Sequence, residues 1–121
     1  MYRKGVDVPP AIPINLVVDT GADSTMIRDS LLLSLGLTVP TGWADVLTSE
    51  SRGRGEKCPV FDVEIEIKNP VLQKHWRIPA MEVLARPLNN VSTDGMLGRD
   101  VLRQGILHYD GPQDHFTIDY P

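Results

Sequence analysis

The sequence predicts an all-β domain, closed or strongly bent, with one short helix. Three observations carry this. Ten glycines and ten prolines in 121 residues favour many turns and short strands over long helices. Residues 58–68 alternate cleanly, with Phe61, Val63, Ile65 and Ile67 on one face and Asp62, Glu64, Glu66 and Lys68 on the other. Short apolar runs recur between turn signals along most of the chain, the pattern of a closed or strongly bent β structure. The length fits a single domain, residues 1–121, with its own core.

The elements follow in order. Residues 1–11 are irregular, because Pro9-Pro10 forces extended backbone. Residues 12–19 read as a strand. Residues 28–35 make a helical turn that Gly36 ends. Residues 43–49 and 58–68 read as two strands, joined by the polar, glycine-containing tip Glu50-Ser51-Arg52-Gly53-Arg54-Gly55-Glu56. Lys68-Asn69-Pro70 is a turn. Residues 75–78 and 80–85 are strand segments, broken at Pro79 because proline cannot donate to a ladder. Residues 86–94 form a loop. Residues 99–103 are the short helix, with Gly105 as its stop. Residues 106–109 and 115–120 form a terminal hairpin around Asp110-Gly111-Pro112.

Composition excludes several functions. A net charge of -4 argues against a nucleic-acid partner, which needs a basic footprint, and Arg52-Gly53-Arg54 is too small to supply one. The lone Cys58 cannot form an intrachain disulfide, and no local signature supports it as a nucleophile. His75, His108 and His115 lack metal-ligand spacing and read as structural, so no cofactor or metal is expected. Trp43 and Trp76 read as core or dimer contacts. No apolar run is long enough to span a membrane, and no apolar stretch follows the charged Met1-Tyr2-Arg3-Lys4, so no signal peptide is expected. The expectation is a cytoplasmic protein.

The chemistry concentrates in two places. Asp19-Thr20-Gly21-Ala22 follows directly on the apolar run Ile14-Asn15-Leu16-Val17-Val18. A carboxylate at the end of a buried strand is expensive unless something compensates it. Thr20 and Gly21 turn the chain at once, so the carboxylate sits on a tight loop. Far downstream comes Asp94-Gly95-Met96-Leu97-Gly98-Arg99-Asp100: apolar residues, a glycine, then a charged helix start. The bland alternative for Asp19 is a turn aspartate capping local N–H groups.

In this order and spacing the two motifs resemble the retroviral-type aspartic proteases, the retropepsins. The resemblance spans roughly residues 12–107 and rests on Val17-Val18-Asp19-Thr20-Gly21-Ala22 and Met96-Leu97-Gly98-Arg99. It implies a retropepsin-like, closed β-barrel-type fold and an endopeptidase acting on peptide or protein substrates. Metal-free peptide hydrolysis needs a base to activate water and an acid to protonate the carbonyl oxygen. The aspartic-protease dyad is the known case in which two carboxylates share one proton and fill both roles. Asp-Thr-Gly occurs once in this chain, so the partner carboxylate must come from a second copy, in a homodimer with the active site at its interface.

By the same resemblance, Asp19 is catalytic and the Thr20 hydroxyl bonds across the dimer. Gly21 allows close backbone approach, and Ala22 and Asp23 extend the loop under the substrate. Asp23 pairs with Arg99, while Leu97 and Gly98 pack behind the loop. Residues 48–57 take the place of the flap, with Gly53 and Gly55 giving it mobility; the alternative is a solvated loop. The other reading of the whole chain is a catalytically silent dimerisation or peptide-binding module on the same fold.

Overall fold

The structure is a computed structural model and describes residues 11–46, 55–69, 71, 73–89 and 91–121. Eight strands and two helices run in chain order: β1 (Leu16–Val18), β2 (Met26–Arg28), α1 (Asp29–Ser34), β3 (Gly42–Val46), β4 (Glu56–Asn69), β5 (Lys74–Arg86), β6 (Gly95–Leu97), α2 (Arg99–Leu102), β7 (Ile106–Asp110) and β8 (His115–Asp119). Six strands make one sheet in the order β1-β6-β2-β5-β4-β3, and β7 pairs with β8 separately.

The long antiparallel pair β4 and β5 is the spine. Its alternation puts Phe61, Val63 and Ile65 in the core with Trp76, Ile78, Met81 and Val83. Val83 and Val101 are fully enclosed and Leu32 nearly so. Each such burial contributes about 1.5–3 kcal/mol. Toward the end of the spine that meets β3 the opposite face is covered too: Cys58, Val60 and Leu84 pack with Met26, Ala44 and Val46.

The all-β reading holds, with three corrections. The sheet is open, not a closed barrel: among the described residues β1 and β3 are its two edges. Strands of 14 and 13 residues stand beside strands of three, and the two edges do not meet to complete a regular barrel. There are two short helices rather than one. At the end of α1, Gly36 takes φ +82°; its N–H donates to Leu33 O (2.9 Å) and that of Leu37 to Leu32 O (3.1 Å), a Schellman stop. Finally, Pro79 does not break its strand. Ile65 pairs with Ile78 and Val63 with Met81, so Pro79 and Ala80 share the place opposite Glu64. A β-bulge absorbs the missing donor.

Smaller differences follow from length. The strand expected over 12–19 is confined to Leu16–Val18. β2 and β6 have three residues each, too few to show a period-two pattern. Trp76 is buried and stacks on Tyr120 at 5.0 Å between ring centroids. Trp43 is 63% exposed on the β3 edge, so it is not a core residue. His75 and His108 pair with Glu66 and Asp119. The tip of the expected flap, with Gly53, lies outside the described residues. Gly55 is described, exposed, and leads into β4.

Candidate active site

β1 delivers Asp19. It runs parallel to β6, with Val17 opposite Met96 and Val18 opposite Leu97, so the two motifs of the sequence lie side by side. The Asp19 N–H donates to Leu97 O (3.0 Å), extending that ladder by one bond. The chain then turns: the Ala22 N–H reaches Asp19 O (3.2 Å) and the Gly21 N–H reaches Asp19 Oδ1 (2.9 Å). That is the one hydrogen bond the Asp19 carboxylate accepts among the described residues. Oδ1 thus fills the turn-capping role, while Oδ2 takes no hydrogen bond among the described residues and the residue is half-buried.

The loop is seated on Gly98. A β-carbon there would lie 2.6 Å from Ser24 C and 2.7 Å from Ser24 O, so only glycine lets the two segments close. The Arg99 N–H donates to Ala22 O (2.8 Å). The Arg99 side chain forms an ion pair with Asp23 and donates from Nη1 to Thr20 O (2.9 Å). Both ionic side chains are well exposed, so this fork contributes at most about 1 kcal/mol and acts by fixing geometry.

Two members of this arrangement escaped the sequence reading. Thr25 is fully buried. Its Oγ1 donates to Asp100 Oδ1 (2.7 Å) and accepts from the Gly98 N–H (3.0 Å), and its N–H donates to Asp100 Oδ2 (2.9 Å). Asp100 also takes the Val101 N–H at Oδ1 (2.9 Å), opening α2. The signal was present: a hydroxyl entering a buried strand, and an aspartate in a helix's first turn, both need partners.

The structure therefore gathers Asp19, Thr20, Gly21, Ala22, Asp23, Leu97, Gly98 and Arg99 into one place. It leaves Gly55 on the far side of the sheet order, at the start of β4. The neighbouring carboxylates are committed, Asp23 to Arg99, Asp94 to the Asn15 N–H (2.8 Å) and Asp100 to Thr25. One carboxylate can activate water or donate a proton, not both at once.

The family model of the aspartyl proteases matches residues 7–101, most of the chain and both motifs. The chain belongs to that family, in keeping with its retropepsin-like motifs. Comparison with curated proteins and with solved structures gives no match. Family membership supports a peptidase with protein substrates. Among the described residues no helix is long and apolar enough to cross a membrane.

Proposed function

We propose that the protein is an aspartic endopeptidase, a single domain over residues 1–121 that works as a homodimer. Asp19 of each copy supplies one carboxylate of a dyad on the two-fold axis. One carboxylate, ionised, takes a proton from water as it attacks the peptide carbon. The other, protonated, gives its proton to the carbonyl oxygen.

The observation that carries this reading is the commitment of Asp23, Asp94 and Asp100 to partners of their own. Asp19 Oδ2 takes no hydrogen bond among the described residues, and the dyad reading requires a second acid for it. Its position supports approach by a second copy. β1 is a sheet edge, and Val17 beside Asp19 is 44% exposed. In this reading Thr20 bonds to the partner's loop, Gly21, Ala22 and Asp23 line the substrate backbone, and Leu97, Gly98 and Arg99 support the loop. The hairpin over residues 48–57, with Gly53 and Gly55, closes over substrate.

The test is Asp19→Asn against the wild type on an unstructured protein mixture at mildly acidic pH. Asparagine keeps size and hydrogen bonding but cannot share a proton. Proteolysis is lost while circular dichroism and the dimer persist. Residual turnover within about tenfold of wild type would remove Asp19 from the chemistry.

A further inference from the structure

Arg28 stands at the end of β2, which β6 separates from β1. Its guanidinium gathers four carbonyls of the segment between β5 and β6. Nη1 donates to Pro87 O (2.8 Å) and Leu88 O (2.9 Å), and Nη2 to Val91 O (2.9 Å) and Thr93 O (2.7 Å). The described residues of that segment belong to no sheet, and the fork of an arginine matches their converging carbonyls as a lysine's single ammonium cannot. Leu88, buried within it, has φ 52°, the left-handed region that leucine rarely adopts. Such a conformation persists only where its surroundings over-determine it.

The clamped segment ends at Asp94, where β6 begins. Asp94 O accepts the Arg28 N–H (2.8 Å), and the Asp94 N–H donates to Asn15 O (2.8 Å). Gly95 then lies directly on the Met26 carbonyl, with no room for a β-carbon. β6 has only three residues, and at its end Leu97 O holds the Asp19 N–H. β1 and β2 hold this short strand on either side and Thr25 holds the Gly98 N–H at its end. Its start is set by the clamped segment.

We propose that Arg28 is a positioning residue for Asp19: by clamping residues 87–93 it sets the start of β6, and so the height of the carbonyl that seats the Asp19 backbone. The catalytic part of this inference rests on the proposed peptidase function; the structural part does not.

The experiment compares wild type, Arg28→Lys and Arg28→Met by residue-resolved amide hydrogen exchange and by steady-state cleavage of an extended peptide. In Arg28→Met the Asp19 and Gly21 amides exchange at least about tenfold faster, while Val63 and Val83 in the β4–β5 spine keep their protection. At the same time kcat falls at least about tenfold with KM within about twofold, because binding survives and alignment does not. Arg28→Lys falls between the two. Unchanged Asp19 and Gly21 exchange in folded Arg28→Met overturns the proposal, as does accelerated exchange with unchanged kcat. If Arg28→Met does not fold, Arg28→Lys is read by the same criteria. A wild type without peptidase activity would remove the proposed function instead, and the exchange rates alone would then decide whether the clamp exists.

Discussion

At Gly98 a β-carbon would meet backbone atoms of Ser24, which cannot swing aside as a flexible side chain can. Ser24 is followed by Thr25, pinned to Asp100 through both its N–H and its hydroxyl. Gly98→Ala must therefore push the Asp19 loop away from β6. We expect a loss of about 1–3 kcal/mol in urea unfolding, with an activity loss larger than the unfolded fraction explains. Glu66 offers a residue-scale test of a different kind. Its hydrogen bond with His75, helped by the charges of Lys68, Arg77 and His75 and opposed by burial, holds the carboxyl below its ordinary value of 4.5. The folded state thus binds this proton less tightly than the unfolded chain. The stabilisation is present above about pH 4.5 and is lost as pH falls through the lowered value. Glu66→Gln should lower the melting temperature at neutral pH, and the gap should narrow as the pH falls below 4.5 and through the lowered value. A gap that did not change on acidification would mean the ionised carboxylate contributes nothing.

The elements differ in how far they could be read from residues. β4 announced itself because one face is buried and the other is not, and the two faces of residues 61–68 fell where the alternation put them. α1 was readable from its leucines and from Gly36. Pro79 misled, since local chemistry says that proline stops a ladder and says nothing of a bulge in its own strand opposite Glu64. β2 and β6 were invisible because their pairing is long-range: Met26 pairs with both Leu84 and Met96. The site's motifs were legible for a related reason. Asp19 stood out by local chemistry and Gly98 and Arg99 by their place in the family motif, whereas Thr25 and Arg28 belong to no such motif and find their partners only across the fold. The hairpin after β3 carries its own prediction. Glu56 is not part of a free tip, because Arg86, itself buried, donates to it from Nη1 at 2.8 Å and also reaches Cys58 Sγ. Deleting residues 51–54 while keeping Glu56 should leave melting nearly unchanged and slow cleavage of extended peptides. Equal rates in such a deletion would show that this hairpin does not act as a flap.

For the whole molecule, the open sheet has a functional consequence. A barrel would hide its edges, but here β1 ends at Asp19 with its outer side unpaired among the described residues. The proposed chemistry needs a second acid, and the chain has one Asp-Thr-Gly to offer. In the proposed reading the half-site gains function only by association, so activity follows the population of dimer rather than the amount of chain. The most direct measurement is specific peptidase activity across a dilution series, read beside the mass in sedimentation at the same concentrations. The account requires specific activity to fall with dilution in step with the loss of dimer. Activity that stays flat while sedimentation shows monomer would contradict it.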